Sequence, residues 1–224
     1  MSTGLEVVRN ARARRARLSV DSATGRVRLV LPPRAPLKAA LAWAEDKAEW
    51  IAAQRARLPQ AAPFVPGATI PFGDTTLTIA WDADAPRRVE RVGTSLRCGG
   101  TRDGLSRRIT LWLKREALRV LSAETAEFAD RAGVAVTKVA VGDPKTRWGS
   151  CASSGTIRYS WRLILMPDFV RRSTVAHEVA HRVHMNHGPQ FQGVVALLDE
   201  RDPDDSRRWL RANGAALHWF GRES

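Results

Sequence analysis

His177-Glu178-Val179-Ala180-His181-Arg182-Val183-His184-Met185-Asn186-His187 holds four of the chain's five histidines within eleven residues. Its first five residues form the pattern His-Glu-x-x-His. On a helix, four residues turn the chain by about 400° and advance it by about 6 Å, so His177 and His181 stand one turn apart on one face. Two imidazoles so placed can reach one zinc ion, whose bonds to nitrogen are about 2.0–2.1 Å long. Glu178 then sits beside the metal rather than on it. There it can take a proton from an attacking water and pass it to a leaving group.

A catalytic zinc takes a third protein ligand and keeps one position open. His187 is chosen here. It follows a helix break at Asn186 and Gly188, and a chain that turns there can bring its ring back to the metal. The rival is His184, on a similar face of the helix but about 10.5 Å along the axis from His177, a long span for one tetrahedral ion. His184 suits packing or a hydrogen bond behind the ligands.

Working outward, Asp168 reads as the N-cap of the helix that carries the motif to about His184. Pro189 suits the first turn of the next helix, 190–198, and a final helix covers about 205–212 before Asn213-Gly214. Upstream, residues 145–166 read as two strands around the turn Ala152-Ser153-Ser154-Gly155. Such a strand pair beside the motif helix can offer an open edge to an extended peptide. Trp148, Trp161, Leu163 and Leu165 read as core. Residues 107–131 read as a long helix ended by Gly133, and 134–141 as a strand. The first third reads as two strands around Asp21-Ser22-Ala23-Thr24-Gly25, then one helix over 36–58 and a proline-rich loop over 59–71. Thr76–Trp81 and Ser95–Cys98 read as short strands.

The stretches TRWGSCASSGTIRYSWRLILMP (146–167) and VAHEVAHRVHMNHGPQF (175–191) together resemble the YgjP-like metallopeptidases, relatives of the SprT-like and other compact zincins. The resemblance rests on Trp148-Gly149-Ser150-Cys151, Trp161-Arg162-Leu163, the His-Glu-x-x-His pattern, and Asn186-His187 ahead of Pro189 and Phe191. Trp209–Leu217 looks like the family's C-terminal stretch, and Val65–Gly73 is similar more loosely. Two departures stand out. Gly188 occupies a place where the family commonly has Ser, and the segment from Asp199 to Trp209 is more acidic than the family pattern. The resemblance implies a zinc site from His177, His181 and His187, with Glu178 as catalytic base. Cys151 reads as a small buried thiol rather than a nucleophile or fourth ligand. Tyr159, Arg147, Arg158 and Arg162 are the candidates to stabilise negative charge on a substrate oxygen.

Composition bounds the rest. The chain has 224 residues, and Lys plus Arg exceed Asp plus Glu by 36 to 23, a formal charge of +13. Five arginines, Arg9, Arg12, Arg14, Arg15 and Arg17, fall within nine residues. A basic balance suits a polyanionic partner, nucleic acid or nucleotide. The competing reading is a compositional bias with a solvated strand face, since no nucleic-acid-binding motif accompanies the charge. No stretch is long and apolar enough to span a membrane, the N-terminus carries no apolar signal core, and two cysteines make no disulfide framework. Together these features point to the cytoplasm.

The expectation is an α+β protein: a smaller N-terminal β-rich part with one helix, residues 1–104, and a zincin-like catalytic domain, residues 105–224, built on the His-Glu-x-x-His helix. The function expected is that of a zinc-dependent peptidase, one zinc per chain, acting on peptide or protein. A hydrolase of nucleotide phosphoanhydrides is the alternative. A basic nucleic-acid-associated protein with a structural zinc is a third reading. Glu178 and a three-histidine set argue against it, because structural zinc sites are usually closed by four ligands rich in Cys.

Overall fold

The computed structural model describes residues 4–199 and 201–223, so Met1–Thr3, Glu200 of the acidic segment and Ser224 lie outside the described residues. The chain has mixed α and β structure, with three small sheets and six α-helices among the described residues. None of these helices is long and apolar enough to cross a membrane.

The chain separates into two compact units, 1–60 and 61–224. In the smaller unit, β1 (Leu5–Arg9), β2 (Arg17–Val20) and β3 (Val27–Leu31) form a sheet in the order β1-β3-β2. β1 runs parallel to β3, and β2 antiparallel to it. Alternation along β3 sends Leu29 and Leu31 inward, where they meet Ala40 and Ala44. The single helix expected over 36–58 is two, α1 (Leu37–Glu45) and α2 (Ala48–Ala56), parted at Asp46-Lys47. Lys47 has φ −95° and ψ 15°, which takes the chain out of the helical path there.

In the larger unit, β4 (Thr69–Phe72), β5 (Thr75–Trp81), β6 (Glu90–Val92) and β7 (Ser95–Cys98) form a sheet in the order β4-β5-β7-β6. α3 (Leu105–Ala132) follows and ends at Gly133, whose φ of 64° closes the helix in the left-handed region. β8 (Lys138–Gly142), β9 (Gly149–Cys151) and β10 (Thr156–Ser160) form a third sheet, in the order β8-β10-β9. α4 (Asp168–Ala180), α5 (Pro189–Leu198) and α6 (Pro203–Leu217) complete it.

The units divide at Gln60, not after residue 104. The reason is burial. Ile70, Phe72, Leu77, Ile79 and Leu96 of the four-stranded sheet share one core with Leu105, Ile109 and Trp112 of α3 and Val175 and Val179 of α4. Phe72 and Trp112 meet with ring centroids 5.7 Å apart.

Three local differences place the site. The strand expected to run on through Trp161–Leu165 is instead a 3₁₀ turn, set by the Ser160 hydroxyl, which accepts from the Arg162 N–H. Asp168 lies inside the first turn of α4, not at its cap; its N–H donates to the carboxylate of Asp74 on the β4–β5 turn. α4 itself stops at Ala180, and the chain tightens into turns, with the N–H groups of Arg182 and Val183 donating three residues back to Val179 and Ala180.

Candidate metal centre

α4 sets the first two histidines. His177 lies in its last turn and His181 is the residue that closes it. The tightened turn at 181–184 then reverses the chain, and Gly188-Pro189 starts α5, so that His187 swings back over α4. The His187 Nε2 stands 3.3 Å from the His177 Nε2. One ligand atom from each of His177, His181 and His187 lies within 4.8 Å of the others. His184 is not in this group; its backbone carbonyl instead accepts from His181 Nδ1 at 3.2 Å. That bond fixes the His181 tautomer and leaves its Nε2 lone pair free.

Phe191, fully buried at the start of α5, touches all three rings, edge-on to His177 and His187 and tilted against His181, with centroid distances of 5.0, 4.8 and 4.5 Å. The phenyl ring offers the imidazoles no lone pair to accept a hydrogen bond. Burial and the charges of His181 and His187 push His177 down to about 4, and burial also lowers His181. Neutral imidazoles with converging lone pairs suit a soft or borderline cation. Two nitrogens about 3.3 Å apart are also the edge of a tetrahedron with zinc–nitrogen bonds of about 2.0–2.1 Å. The donor set therefore fits a zinc ion.

Glu178 is buried beside this group. Burial pushes its carboxyl up to about 7, against the pull of the Arg147 guanidinium. Its packing partner is Gly149 on β9: a Cβ there would lie 2.5 Å from Oε1, 2.6 Å from Cγ and 2.7 Å from Cδ of Glu178. Only glycine leaves the space that the carboxylate occupies. The cleft around Glu178, about 290 Å³, is lined by Arg147, Gly149, His177 and, across from them, Ser206 and Arg207 of α6.

The four candidates for charge stabilisation separate. Arg162 is buried and committed: Nε donates to Asp143 at 2.8 Å and Nη1 to the carbonyls of Leu217 and Phe220 at 2.5 and 3.1 Å. Tyr159 is buried against Thr125, 3.0 Å between hydroxyls, and burial holds its phenol far above the usual range. Arg158 is exposed on β10 and does not line the Glu178 cleft. Arg147 lines it. Cys151 is half-buried and in no disulfide, and burial pushes its thiol up.

A sequence model of the YgjP-like metallopeptidase domain matches residues 14–213. The chain belongs to the YgjP-like metallopeptidase family. The match covers most of both compact units. A search of curated proteins finds no match. Among solved structures, this YgjP-like chain is similar to the metallopeptidase zymogen abylysin of Pyrococcus abyssi, at 15% identity and a TM-score of 0.38, covering 41% of this chain and 93% of that one.

Two residues packed beside the candidate centre go beyond the sequence reading. Phe191 and Gly149 were visible only as members of family stretches. Phe191 had a signal, an aromatic four residues after His187 in a new helix. Gly149 had none, because its role is set by a contact 29 residues away in sequence.

Proposed function

We propose that the protein is a zinc-dependent peptidase in which His177, His181 and His187 hold one zinc ion and Glu178 is the general base. The convergence of the three imidazoles beside a buried carboxylate carries this reading. A zinc ion held there supplies Lewis acidity toward water and toward the scissile carbonyl. The Glu178 carboxylate takes a proton from the attacking water and hands it to the amine nitrogen as the C–N bond breaks. Its burial favours that role, since a base whose affinity for protons is raised can hold one between the two transfers. Arg147 faces the same cleft and stabilises negative charge on the carbonyl oxygen. β9 is an edge strand, bonded only to β10, and its free edge can align an extended peptide beside Glu178.

One observation favours a second reading. Arg147 and Arg207 both line the cleft, and two guanidiniums there suit an anionic substrate such as a nucleotide phosphoanhydride. The deciding experiment is a peptide library and a nucleotide panel offered to zinc-loaded protein, with Glu178→Gln as control. Peptide hydrolysis that falls by about 10²–10⁴-fold in Glu178→Gln, with zinc retained, supports the peptidase. Turnover of nucleotides alone, lost in the same variant, favours the second reading. Undiminished peptide hydrolysis by Glu178→Gln contradicts the assignment of the base.

A further inference from the structure

Positive charge is concentrated in the smaller unit. Residues 1–60 hold twelve Lys and Arg against five Asp and Glu, a net +7, whereas residues 61–224 hold 24 against 18, a net +6. More than half of the excess therefore lies on about a quarter of the chain. Within that unit the arginines gather on the β1–β2 loop and the start of β2. Arg9 is spent internally: its guanidinium donates to the carbonyls of Pro32, Pro33 and Ala35 at 3.1, 2.5 and 3.1 Å. Arg12, Arg14, Arg15 and Arg17 are exposed, and none has an acidic partner among the described residues.

The start of the loop is held in shape. The Asn10 N–H donates to Leu31, the Asn10 side chain accepts from the Arg12 N–H at 2.9 Å, and its carbonyl accepts from the Ala13 N–H at 3.0 Å. Arg17 lies on the face of β2 turned away from Leu18 and from the Leu29–Leu31 core, the same face as Arg28 one strand over. The nearby acids are committed. Glu6 pairs with Arg28 at 3.2 Å, and Asp21 accepts from the N–H groups of Ala23 and Thr24 in the β2–β3 turn.

We infer that this four-arginine surface binds the phosphate backbone of duplex nucleic acid, without sequence preference. Guanidinium forks match phosphate oxygens in geometry as well as charge. The side chains interleaved with the arginines are Ala11, Ala13 and Ala16. They offer no aromatic platform for unstacked bases, which single-strand recognition uses. They offer no large apolar anchor for a lipid surface either. What remains is closely spaced exposed charge, which suits the backbone of a duplex.

The test is fluorescence anisotropy of the full chain with a labelled 20-base-pair duplex at several salt concentrations, so the readout is independent of the peptidase reading. Wild type is compared with Arg12→Gln/Arg14→Gln, with Arg15→Gln/Arg17→Gln, and with a control of equal charge change in the larger unit, Arg88→Gln/Arg107→Gln. Each phosphate contact contributes about 0.9 to the slope of log affinity against log salt. Each loop variant is expected to flatten that slope by about 2 and the control to leave it unchanged. Three results overturn the inference: no duplex binding at low salt, equal flattening in the control, or tight binding to vesicles containing phosphatidylserine with none to the duplex. All the substituted side chains are exposed, and circular dichroism verifies that each variant is folded.

Discussion

Gly149 is where one hydrogen atom in place of a methyl group decides the geometry of the site. Its missing side chain makes room for the Glu178 carboxylate. Gly149→Ala is therefore expected to leave the three imidazoles and zinc content intact while displacing the carboxylate by a fraction of an ångström or more. A misplacement of about 1 Å can cost on the order of 10²-fold in rate, so peptide hydrolysis should fall by about 10–10²-fold. Kinetics and elemental analysis of the same sample check both halves; loss of zinc together with activity would contradict the assignment. The histidines were legible because His-Glu-x-x-His obeys helical spacing, a local rule. Gly149 was not, because which residue faces it depends on how β9 meets α4. The fate of Arg162 was equally hidden. It stood as one of four candidates for charge stabilisation, whereas its partners, Asp143, Leu217 and Phe220, are all distant along the chain.

Between elements, α4 is tied to α3 by an ion pair away from the metal centre. Arg171 Nη2 donates to the Glu124 carboxylate at 2.8 Å and its Nε at 3.1 Å, and both side chains are buried. Asp168 adds a second, more exposed carboxylate at 2.7 Å. Removing one partner of a buried pair costs up to about 3–5 kcal/mol, less here because Asp168 still faces Arg171. Glu124→Ala is thus expected to lower the urea midpoint sharply, and the apolar double replacement Glu124→Leu/Arg171→Met to recover most of that loss. A loss in the double variant as large as in Glu124→Ala would show that the pair itself, not the stranded charge, sets the stability. Element by element, long periodic stretches such as α3 were readable from sequence because their burial pattern repeats. The split of α1 from α2 was not, since the apolar spacing continues across Asp46-Lys47 and only the Lys47 backbone departs. The early end of β10 follows from one hydroxyl, that of Ser160, competing for a backbone N–H.

For the whole molecule, a histidine buried neutral and a carboxylate held ionised both shape the acid response. His218 is buried and stacked on Trp148, with centroids 5.0 Å apart, and burial together with the nearby Arg162 and Lys145 charges pushes it down to about 4. The unfolded chain therefore binds more protons than the folded one between the usual histidine range and pH about 4, so stability falls as pH drops through that window. Burial would raise the Asp143 carboxyl, but hydrogen bonds from Arg162 and Lys145 outweigh it and hold it at about 2. Its contribution is complete above the usual carboxylate range and is lost as pH falls from about 4 to about 2. Urea midpoints of metal-free protein against pH should show both falls, with His218→Phe flattening the upper and Asp143→Asn the lower; an unchanged profile in either variant contradicts the corresponding assignment. At this scale the mixed α and β character was legible from periodicity, while the division at Gln60 was not. Only packing shows that β4–β7 share a core with α3 and α4. The central claim is that three imidazoles, two from the end of α4 and one from the segment before α5, hold one zinc. Zinc content per chain, measured after dialysis on wild type, His187→Ala and His184→Ala, tests it most directly. About one zinc in wild type and in His184→Ala, with most of it lost from His187→Ala, is the predicted result; equal zinc in wild type and His187→Ala would contradict the account.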